Sequence, residues 1–328
     1  MATYYGTYGQ KVQYLASDPS DPQTGQVWYN STSAVLKVRS VTTTGTWAAG
    51  GNLNTARGQL AGAGIQTASI VFGGDIPPGA YTTASESYNG TSWTTTPSLN
   101  TERGALGGNG TQTAAFAAGG VDPGGNRLSS TEKWNGTSWT SNPTGLNTAR
   151  NALAVAGIQT AALAAGGSDG TAPVASVESW NGTVWTNTTS LPAAKEGAGA
   201  SGTQTAALAF GGYTGGALNT TNSWNGSAWT AGGNMNTARW TLGGSNSGTQ
   251  TAALGFGGNT PPITAATELY NGTSWTTETS LSTARRLLAG TGVQTSALAA
   301  GGLTTGLSAA TEEWTGPGVG TTKTVTVS

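Results

Sequence analysis

The chain lacks cysteine and histidine and has few charged residues. Without cysteine, it can form neither disulfides nor thiolate metal sites. Without histidine, it lacks the commonest general base and the commonest metal ligand. Charged residues make up only 8% of the 328 residues and the formal net charge is −1. The chain therefore has no excess of positive charge that would attract the phosphate backbone of a nucleic acid. The composition therefore disfavours nucleic acid as a partner, and we expect no cofactor.

Long apolar stretches are also missing. Residues 1–20 contain no charged region followed by an apolar run, and no stretch approaches about 18 consecutive apolar residues. We therefore expect neither membrane insertion nor secretion by an ordinary signal peptide. The 53 glycines and the low charge resemble the composition of disordered chains, but 12 Trp, 9 Tyr and 4 Phe supply apolar mass that such chains lack.

The chain contains a sixfold internal repeat. A Gly-Gly pair ends an apolar run six times, at intervals of 46, 47, 45, 46 and 44 residues. In each repeat a cation precedes a strand of small residues, a Gln-Thr turn leads to the apolar run, and a third strand ends in an aromatic residue. The six pairs, which define repeats 1 to 6, begin at Gly73, Gly119, Gly166, Gly211, Gly257 and Gly301.

An Asn-Gly pair follows the third strand in repeats 1 to 5, and a tryptophan follows in a fourth strand. Asn-Gly between aromatic-rich strands predicts a hairpin with a type I′ turn, in which both residues have positive φ. Asn-Gly-Thr/Ser also matches the N-glycosylation acceptor pattern, but its recurrence at one hairpin position favours turn chemistry. Four strands in about 46 residues predict one propeller blade per repeat, whereas a two-stranded solenoid needs a shorter period.

The ends of the repeat array predict how it closes. Repeat 6 has no tryptophan after Trp314, and an unmatched Thr46-Trp47 precedes repeat 1. We expect residues 43–49 to form the outer strand of the sixth blade, giving an all-β, six-bladed propeller closed by an N-terminal strand. The predicted divisions are an attachment hairpin at 1–42, the propeller at 43–316 and a tail strand at 317–328. The tail either extends a sheet edge or returns toward residues 1–40.

The cations and the third-strand acids are the most regular polar positions. Repeat 4 alone has Lys195 instead of Arg, and it alone has Asn222 instead of Glu. This joint departure predicts polar clasps within or between blades, since the guanidinium fork of Arg matches a carboxylate. We favour this structural role over a ligand-binding ring of arginines. The predicted pairs are Arg57 with Glu86, Arg103 with Glu132, Arg150 with Glu178, Lys195 with Asn222, Arg239 with Glu268, and Arg285 with Glu312.

The repeat resembles the kelch repeat. The shared features are the cation before the first strand, Gly-Gly after the second, Glu-x-aromatic in the third, as in Glu132-Lys133-Trp134, and Trp in the fourth. The resemblance covers about residues 43–316 and implies the propeller fold. Kelch proteins mostly bind other proteins and a few are oxidases, so the fold alone does not give the function. Oxidases of the kelch class use Cys, Tyr and His as copper ligands, and this chain has no Cys and no His, so that activity is not expected.

The first 42 residues differ from the repeats. A turn-rich stretch leads into Gly25-Gln26-Val27-Trp28-Tyr29-Asn30 and then Leu36-Lys37-Val38, which predicts a β-hairpin. This pattern is similar to a segment near the N-termini of bacteriophage virion proteins, tail fibres in particular. The resemblance implies attachment to other virion proteins, with Trp28, Tyr29, Leu36 and Val38 as candidate attachment residues. A hairpin that packs under the propeller is the alternative.

The loops between second and third strands vary among repeats, whereas the opposite turns barely change. Variable loops on a rigid scaffold often carry binding residues, although unconstrained drift would give the same pattern. The predicted ligand-face residues are Asp75, Tyr81, Asp122, Asp169, Tyr213 and Asn259. The three aspartates lack the further carboxylates of a Ca²⁺ site, so Asx-turns are favoured and no metal residue is assigned.

The sequence thus predicts a non-enzymatic binding module, with no catalytic residue assigned. We expect a virion structural protein, made in the host cytoplasm, that binds a host surface glycan or protein or neighbouring virion proteins. It either acts as a tail fibre or adhesin, or decorates the capsid or tail. A homo-oligomer is compatible with this role. The alternatives are a soluble kelch-type module that binds protein or carbohydrate, and a carboxylate-only enzyme, which would need two acids across a cleft.

Overall fold

The computed structural model describes residues 12–41, 43–318 and 320–325. Residues 1–11 and 42 of the predicted attachment segment, and residues 319 and 326–328 of the predicted tail, lie outside the described residues. The described residues form strands and turns and no helix, hence no apolar helix of membrane-spanning length. The all-β prediction is confirmed.

The strands follow the chain with short connections. The first ten are β1 (Gln13–Leu15), β2 (Val27–Asn30), β3 (Val35–Val41), β4 (Thr46–Ala49), β5 (Ala61–Ile65), β6 (Ala68–Phe72), β7 (Asp75–Ile76), β8 (Ala80–Tyr81), β9 (Ser85–Tyr88) and β10 (Trp93–Thr96). The next ten are β11 (Gly107–Thr111), β12 (Ala114–Ala118), β13 (Thr131–Trp134), β14 (Trp139–Ser141), β15 (Ala154–Ile158), β16 (Ala161–Ala165), β17 (Val177–Trp180), β18 (Trp185–Thr188), β19 (Gly199–Gly202) and β20 (Ala207–Phe210). The last ten are β21 (Thr221–Trp224), β22 (Trp229–Ala231), β23 (Gly243–Gly244), β24 (Ala253–Phe256), β25 (Thr267–Tyr270), β26 (Trp275–Glu278), β27 (Ala289–Val293), β28 (Ser296–Ala300), β29 (Thr311–Thr315) and β30 (Gly320–Val325).

Each repeat builds one four-stranded antiparallel sheet, and the sheets are numbered 1 to 6 after the repeats. Sheet 1 has the order β5-β6-β9-β10, and sheets 2 to 5 take the next sixteen strands in chain order. Sheet 6 has the order β27-β28-β29-β4, so the strand that contains Trp47 lies beside β29. The predicted repetition of four-stranded sheets is confirmed, and the arrangement is consistent with a propeller-like fold.

The chain divides into two compact units. Thr46–Trp314 form the repeat unit, and Met1–Gly45 with Thr315–Ser328 form the terminal unit. In the terminal unit the sheet order is β1-β2-β3-β30, with β1 parallel to β2 and β30 antiparallel to β3. The tail strand therefore pairs with the N-terminal hairpin, which is one of the two placements that the sequence left open.

Small residues in the first strands allow the sheets to approach one another. The first strands contact their neighbours in the order β5, β11, β15, β19, β23 and β27, and β27 also contacts β5. A Cβ atom on Gly290 of β27 would lie 2.4 Å from the backbone oxygen of Gly244 in β23, so this approach requires glycine. The Ala- and Gly-rich composition of these strands follows from that crowding.

The aromatic residues form the cores between sheets. Six buried clusters each combine apolar residues of a second strand with the aromatic pair of an adjacent sheet. Phe72 of sheet 1, for example, packs edge-on against Trp139 of sheet 2, with ring centroids 4.7 Å apart. Leu298 of sheet 6 clusters with Tyr88 and Trp93 of sheet 1. Burial of such rings supplies much of the apolar area that holds neighbouring sheets together.

The Asn-Gly hairpins differ from the type I′ prediction. Tyr88 pairs with Trp93, so the connection has four residues rather than two. Gly90 has a φ of +89°, whereas Asn89 does not have positive φ. The Asn89 side chain instead accepts hydrogen bonds from the backbone N–H groups of Thr91 and Ser92, at 3.0 and 2.9 Å. The prediction of type I′ was wrong because the asparagine acts through its side-chain oxygen, as in an Asx-turn.

Candidate functional site: buried clasps and the variable-loop end

The structure brings the predicted cation and acid of each repeat together inside one sheet. Arg150 is fully buried, and its Nη1 donates to Glu178 Oε1 at 2.9 Å and to Ser176 Oγ at 2.9 Å. The second carboxylate oxygen, Glu178 Oε2, accepts from the backbone N–H of Asn147 at 2.7 Å. Both oxygens of the acid therefore have donors, which offsets part of the cost of burying the charge.

The same clasp recurs in five sheets. The ion pairs are Arg57–Glu86 (2.7 Å), Arg103–Glu132, Arg150–Glu178 (2.9 Å), Arg239–Glu268 (3.0 Å) and Arg285–Glu312 (2.9 Å). In each, the second acid oxygen accepts a backbone N–H from the residue three positions before the arginine. Burial lowers the pKa of each arginine, and the charge of the paired glutamate raises it in part. The pKa of Arg239 falls to about 10. The guanidinium groups therefore remain charged at neutral pH.

Sheet 4 departs from this pattern at three positions together. Lys195 Nζ donates to Asn222 Oδ1 at 3.0 Å and to Thr220 Oγ1 at 2.9 Å. The residue three positions before the lysine is Pro192, which has no N–H. A glutamate at position 222 would therefore lack the donor that its second oxygen finds in the other sheets. The proline therefore gives a physical reason why position 222 is not a glutamate, and this was not recognised from the sequence.

The buried lysine makes stability depend on pH. Burial lowers the pKa of Lys195 from its ordinary 10.5 to about 8. Between these values the folded chain has lost a proton that the unfolded chain still holds, so stability rises as pH increases. The rise over this interval is expected to reach about 3 kcal/mol.

Urea denaturation at pH 7.5 to 10.5 tests this expectation by comparing the wild type with Lys195→Met. The difference between the two unfolding free energies is expected to grow with pH in favour of the wild type. Lys133→Met, at a partly exposed lysine of sheet 2, serves as the control and is expected to follow the wild type. Parallel profiles for the wild type and Lys195→Met would contradict the assignment.

The predicted ligand-face residues lie at the end of the sheets that carries the variable loops, here called the loop end. Asp122 Oδ1 accepts the Asn126 N–H at 2.8 Å, and Asp169 Oδ1 accepts that of Thr171 at 2.8 Å. Hydrogen bonds from the side chains of Asn126 and Thr171, together with these backbone bonds, lower the pKa values of Asp122 and Asp169, that of Asp169 to about 2. The two carboxylates therefore stabilise their own loops.

Asp75 and Tyr81 come together on a two-stranded hairpin formed by β7 and β8. Their backbones pair directly, and Tyr81 packs over the backbone of Gly104 in the next repeat. Burial raises the pKa of the Tyr81 phenol, and the nearby Asp75 carboxylate raises it further. The aromatic ring thus bridges repeats 1 and 2, with an acidic group beside its hydroxyl.

An aromatic pair lies at the loop end. The rings of Tyr213 and Trp240 lie 5.0 Å apart, and both are partly exposed. Asn259 joins them, since its backbone N–H donates to Trp240 O at 2.9 Å. Trp240 was not among the predicted residues, although it is the only tryptophan directly after a repeat cation, and that difference between repeats was the available signal.

Backbone hydrogen bonds connect the sheets at the same end. The second residue after each cation donates its backbone N–H to the carbonyl of the residue at the same position in a neighbouring repeat. The bonds run from Ala105 to Gln59, Ala152 to Ala105, Gly197 to Ala152, Thr241 to Gly197, Leu287 to Thr241, and Gln59 to Leu287, at 2.7 to 2.9 Å. All six residues have positive φ, a conformation that costs about 1 kcal/mol or more for residues other than glycine. This strain is maintained by six mutually supporting hydrogen bonds.

Side-chain donors connect the sheets at the opposite end, here called the turn end. The glutamine of each Gln-Thr turn donates its amide to backbone carbonyls of the preceding repeat, as Gln112 does to Tyr88 O at 2.6 Å. Gln66 of sheet 1 donates to Trp314 O of sheet 6 at 2.8 Å. The fourth-strand tryptophans also reach a neighbouring sheet, as in the bond from Trp93 Nε1 to Thr311 Oγ1 at 3.0 Å.

The candidate attachment residues lie in the terminal unit. Trp28 is fully buried, and its Nε1 donates to Asp18 Oδ1 at 3.0 Å, while Lys37 Nζ donates to Asp18 Oδ2 at 2.6 Å. The bond from Lys37 and, after it, those from Trp28 and Asn30 lower the pKa of Asp18 to about 2. Tyr29 stacks on the exposed Tyr14 at 5.3 Å. Leu36 and Val38 pair with Tyr29 and Val27 and are half-buried.

Comparison with known proteins gives no relative from which a function could be assigned. No family model and no curated protein matches the chain. In the described parts of the chain, no three acidic residues are grouped so that they could hold a metal ion.

Proposed function

We propose that the six sheets are the blades of one closed, kelch-like propeller, with β4 completing the sixth. The contacts between sheets 1 and 6 support this proposal. They include the Gln66 amide on Trp314 O, the Trp93 indole on Thr311 Oγ1 and the Gln59 N–H on Leu287 O. These are the same kinds of contact that join consecutive repeats, which supports a closed array.

The function that we infer is that of a non-enzymatic structural protein of a bacteriophage virion. The carrying observation is that the segment resembling phage virion proteins, Gly25–Asn30, lies in a compact unit of its own. That unit offers stacked Tyr14 and Tyr29 as an attachment surface to other virion proteins, with Leu36 and Val38 on the adjoining strand. The propeller is then presented to a host surface or to neighbouring virion proteins.

The use of the acidic residues supports a binding role rather than catalysis. Five of the 14 acidic residues are buried in the clasps. Asp122 and Asp169 accept hydrogen bonds within their own loops, and Asp18 forms an ion pair within the terminal unit. Glu313 accepts a hydrogen bond from the Tyr88 hydroxyl at 2.5 Å. A glycosidase needs two carboxylates facing a cleft at a defined separation, and these assignments occupy most of the candidates.

The loop end is the surface that we assign to the partner. Tyr213 and Trp240 offer an apolar aromatic platform, with the partly exposed Glu196 in the adjoining loop. Aromatic faces suit the C–H surface of a sugar, and a neighbouring carboxylate suits its hydroxyls. A surface glycan of the host is therefore the partner that fits best. The same platform favours a soluble carbohydrate-binding propeller as the second candidate.

Two measurements test the proposal and separate its parts. Peptide mass spectrometry of purified phage particles is expected to detect the chain at a fixed ratio to other structural proteins. Cell binding by the purified full-length protein is expected to fall at least about tenfold in Trp240→Ala, because a central aromatic contact commonly contributes more than 1.4 kcal/mol. Tyr14→Ala, which removes an exposed aromatic ring from the terminal unit, is the control and is expected to bind cells normally.

The outcomes assign different roles. Presence in particles with Trp240-dependent cell binding supports an adhesin, and presence without cell binding supports a decoration protein. Absence from particles defeats the virion role, and glycan binding by the free protein would then favour the soluble module. Release of reducing sugar by the pure protein would overturn the non-enzymatic assignment.

A further inference from the structure

Repeat 5 contains an insertion that the other repeats lack. Its Gln-Thr turn begins eleven positions after the cation, at Gln250 after Arg239, whereas the spacing is nine in the other five repeats. The strand at this position, β23, has only two residues, Gly243–Gly244. The next four residues, 245–248, leave the sheet, and we call them the crossing segment.

The crossing segment bonds to the first strands of several sheets. Asn246 Nδ2 donates to Gly62 O of sheet 1 at 2.7 Å, and Asn246 O accepts from Asn109 Nδ2 of sheet 2 at 3.0 Å. Both asparagines are buried, and Asn109 is the only asparagine at its position among the repeats.

Two further bonds extend the segment to sheets 4 and 6. Ser247 N donates to Gly292 O at 3.0 Å, and Gly202 N donates to Gly248 O at 3.1 Å. One four-residue segment therefore joins strands from sheets 1, 2, 4 and 6 to its own sheet 5. Such a set of partners requires the segment to cross the space where the first strands converge.

A cavity of about 630 Å³ lies against the crossing segment at the turn end. Asn246, Ser247 and Gly248 line it together with the turns of sheets 1 to 4. Asn246 also lines a second, smaller cavity of about 130 Å³ among the first strands. The crossing segment therefore forms the floor of the larger cavity and separates it from the smaller one.

The walls of the larger cavity are uncharged and mostly apolar. No titratable side chain lines it. Ile65 and Ile158 at its rim are 51% and 53% exposed, and the only other exposed large apolar side chain of the repeat unit is Val184, at 44%. Gln112 and Gln204 also line the cavity, but their amides donate to backbone carbonyls of preceding repeats.

We propose that this cavity binds an uncharged, predominantly apolar small molecule. Its volume falls within the range of about 300–1,000 Å³ that is typical of small-molecule sites. Burial of the two isoleucines would drive binding, and the absence of a charged lining group disfavours an ionic ligand. The hydroxyls of Thr111 and Thr203 at the wall are the groups that a neutral acceptor on the ligand would meet. The site is independent of the virion role and lies opposite the loop end.

Titration of the full-length protein with Nile red, an uncharged apolar fluorophore, tests the proposal. We expect saturable binding at one site with a blue-shifted emission. The variant Ile65→Ser/Ile158→Ser is expected to bind at least tenfold more weakly, since both side chains are exposed and the fold does not depend on them. Val184→Ser removes another exposed apolar side chain, 44% exposed and outside the cavity, and is expected to bind within twofold of the wild type.

A variant of the cavity floor and a measurement of oligomeric state complete the test. Asn246→Ala removes the bond to Gly62 and is expected to weaken dye binding by loosening the floor, with the thermal transition confirming that the sheets remain folded. Sedimentation velocity on the same samples detects a second copy of the chain on this surface. Dye binding that is unsaturable or unaffected by Ile65→Ser/Ile158→Ser would overturn the proposal. So would isoleucine variants that abolish a dimer instead of the dye site.

Discussion

Replacement of Arg150 by methionine is expected to lower the free energy of unfolding by about 3–5 kcal/mol, because it leaves the buried Glu178 carboxylate without its cation. The acid is fully buried and keeps only its bonds to backbone N–H groups, which cannot compensate a full charge. Urea denaturation at pH 7 measures the change. Lys323→Met, at an exposed lysine, is the matched control and is expected to change stability by less than about 0.5 kcal/mol.

The double variant Arg150→Met/Glu178→Leu separates the cost of an orphaned charge from the value of the pair. Removal of both partners eliminates the buried charge, so this variant is expected to be more stable than Arg150→Met alone. It is not expected to regain full stability, because the Asn147 N–H loses its carboxylate acceptor and the Ala164 carbonyl loses the bond from Arg150. An Arg150→Met protein with unchanged stability would defeat the structural role of the clasps.

Restoration of the missing clasp in sheet 4 is expected to stabilise the protein by about 1–3 kcal/mol, the usual range for hydrogen bonds to charged groups. The required variant is the triple substitution Pro192→Asn/Lys195→Arg/Asn222→Glu, which reproduces the pattern of the other five sheets. It replaces a buried lysine, whose burial lowers its pKa to about 8, by a paired guanidinium.

The double substitution Lys195→Arg/Asn222→Glu is the informative control. It supplies the ion pair but retains Pro192, so one oxygen of the new glutamate lacks its backbone donor. It is therefore expected to be less stable than the triple variant, and Pro192→Asn alone is expected to bring no comparable gain. Equal stability of the double and triple variants would show that the N–H at position 192 does not matter to the clasp.

The sequence predicted the elements that are repeated. The Gly-Gly pairs, the Glu-x-aromatic strands and the unmatched Trp47 were sufficient to predict sheets of four antiparallel strands and to assign β4 to the neighbourhood of β29. The coupled change at Lys195 and Asn222 indicated contact, because a pair altered together in one repeat of six is improbable without it. Repetition provides internal comparison, which a single sequence otherwise lacks.

Features that occur once were harder to predict. The insertion before Gln250 is visible in the spacing, but its partners Gly62 and Asn109 lie in other repeats and are identified only by three-dimensional contacts. The pairing of Tyr213 with Trp240 likewise depends on how two adjacent repeats meet. The turn type at Asn89 was wrong because side-chain capping competes with backbone geometry, and residue identity alone does not decide between them.

Closure of the ring between sheets 1 and 6 is the claim on which the proposed architecture rests, and an engineered disulfide tests it most directly. The hydroxyl oxygens of Ser69 and Thr291 lie 2.6 Å apart across this junction, although 222 positions separate them in the chain. The chain has no cysteine, so Ser69→Cys/Thr291→Cys introduces the only thiols. The control Ser69→Cys/Ser201→Cys puts the second thiol at a buried serine of sheet 4. A closed ring predicts that the native monomer of the first variant oxidises to a faster-migrating form on a non-reducing gel, while the native control does not. A folded first variant that fails to crosslink would contradict closure.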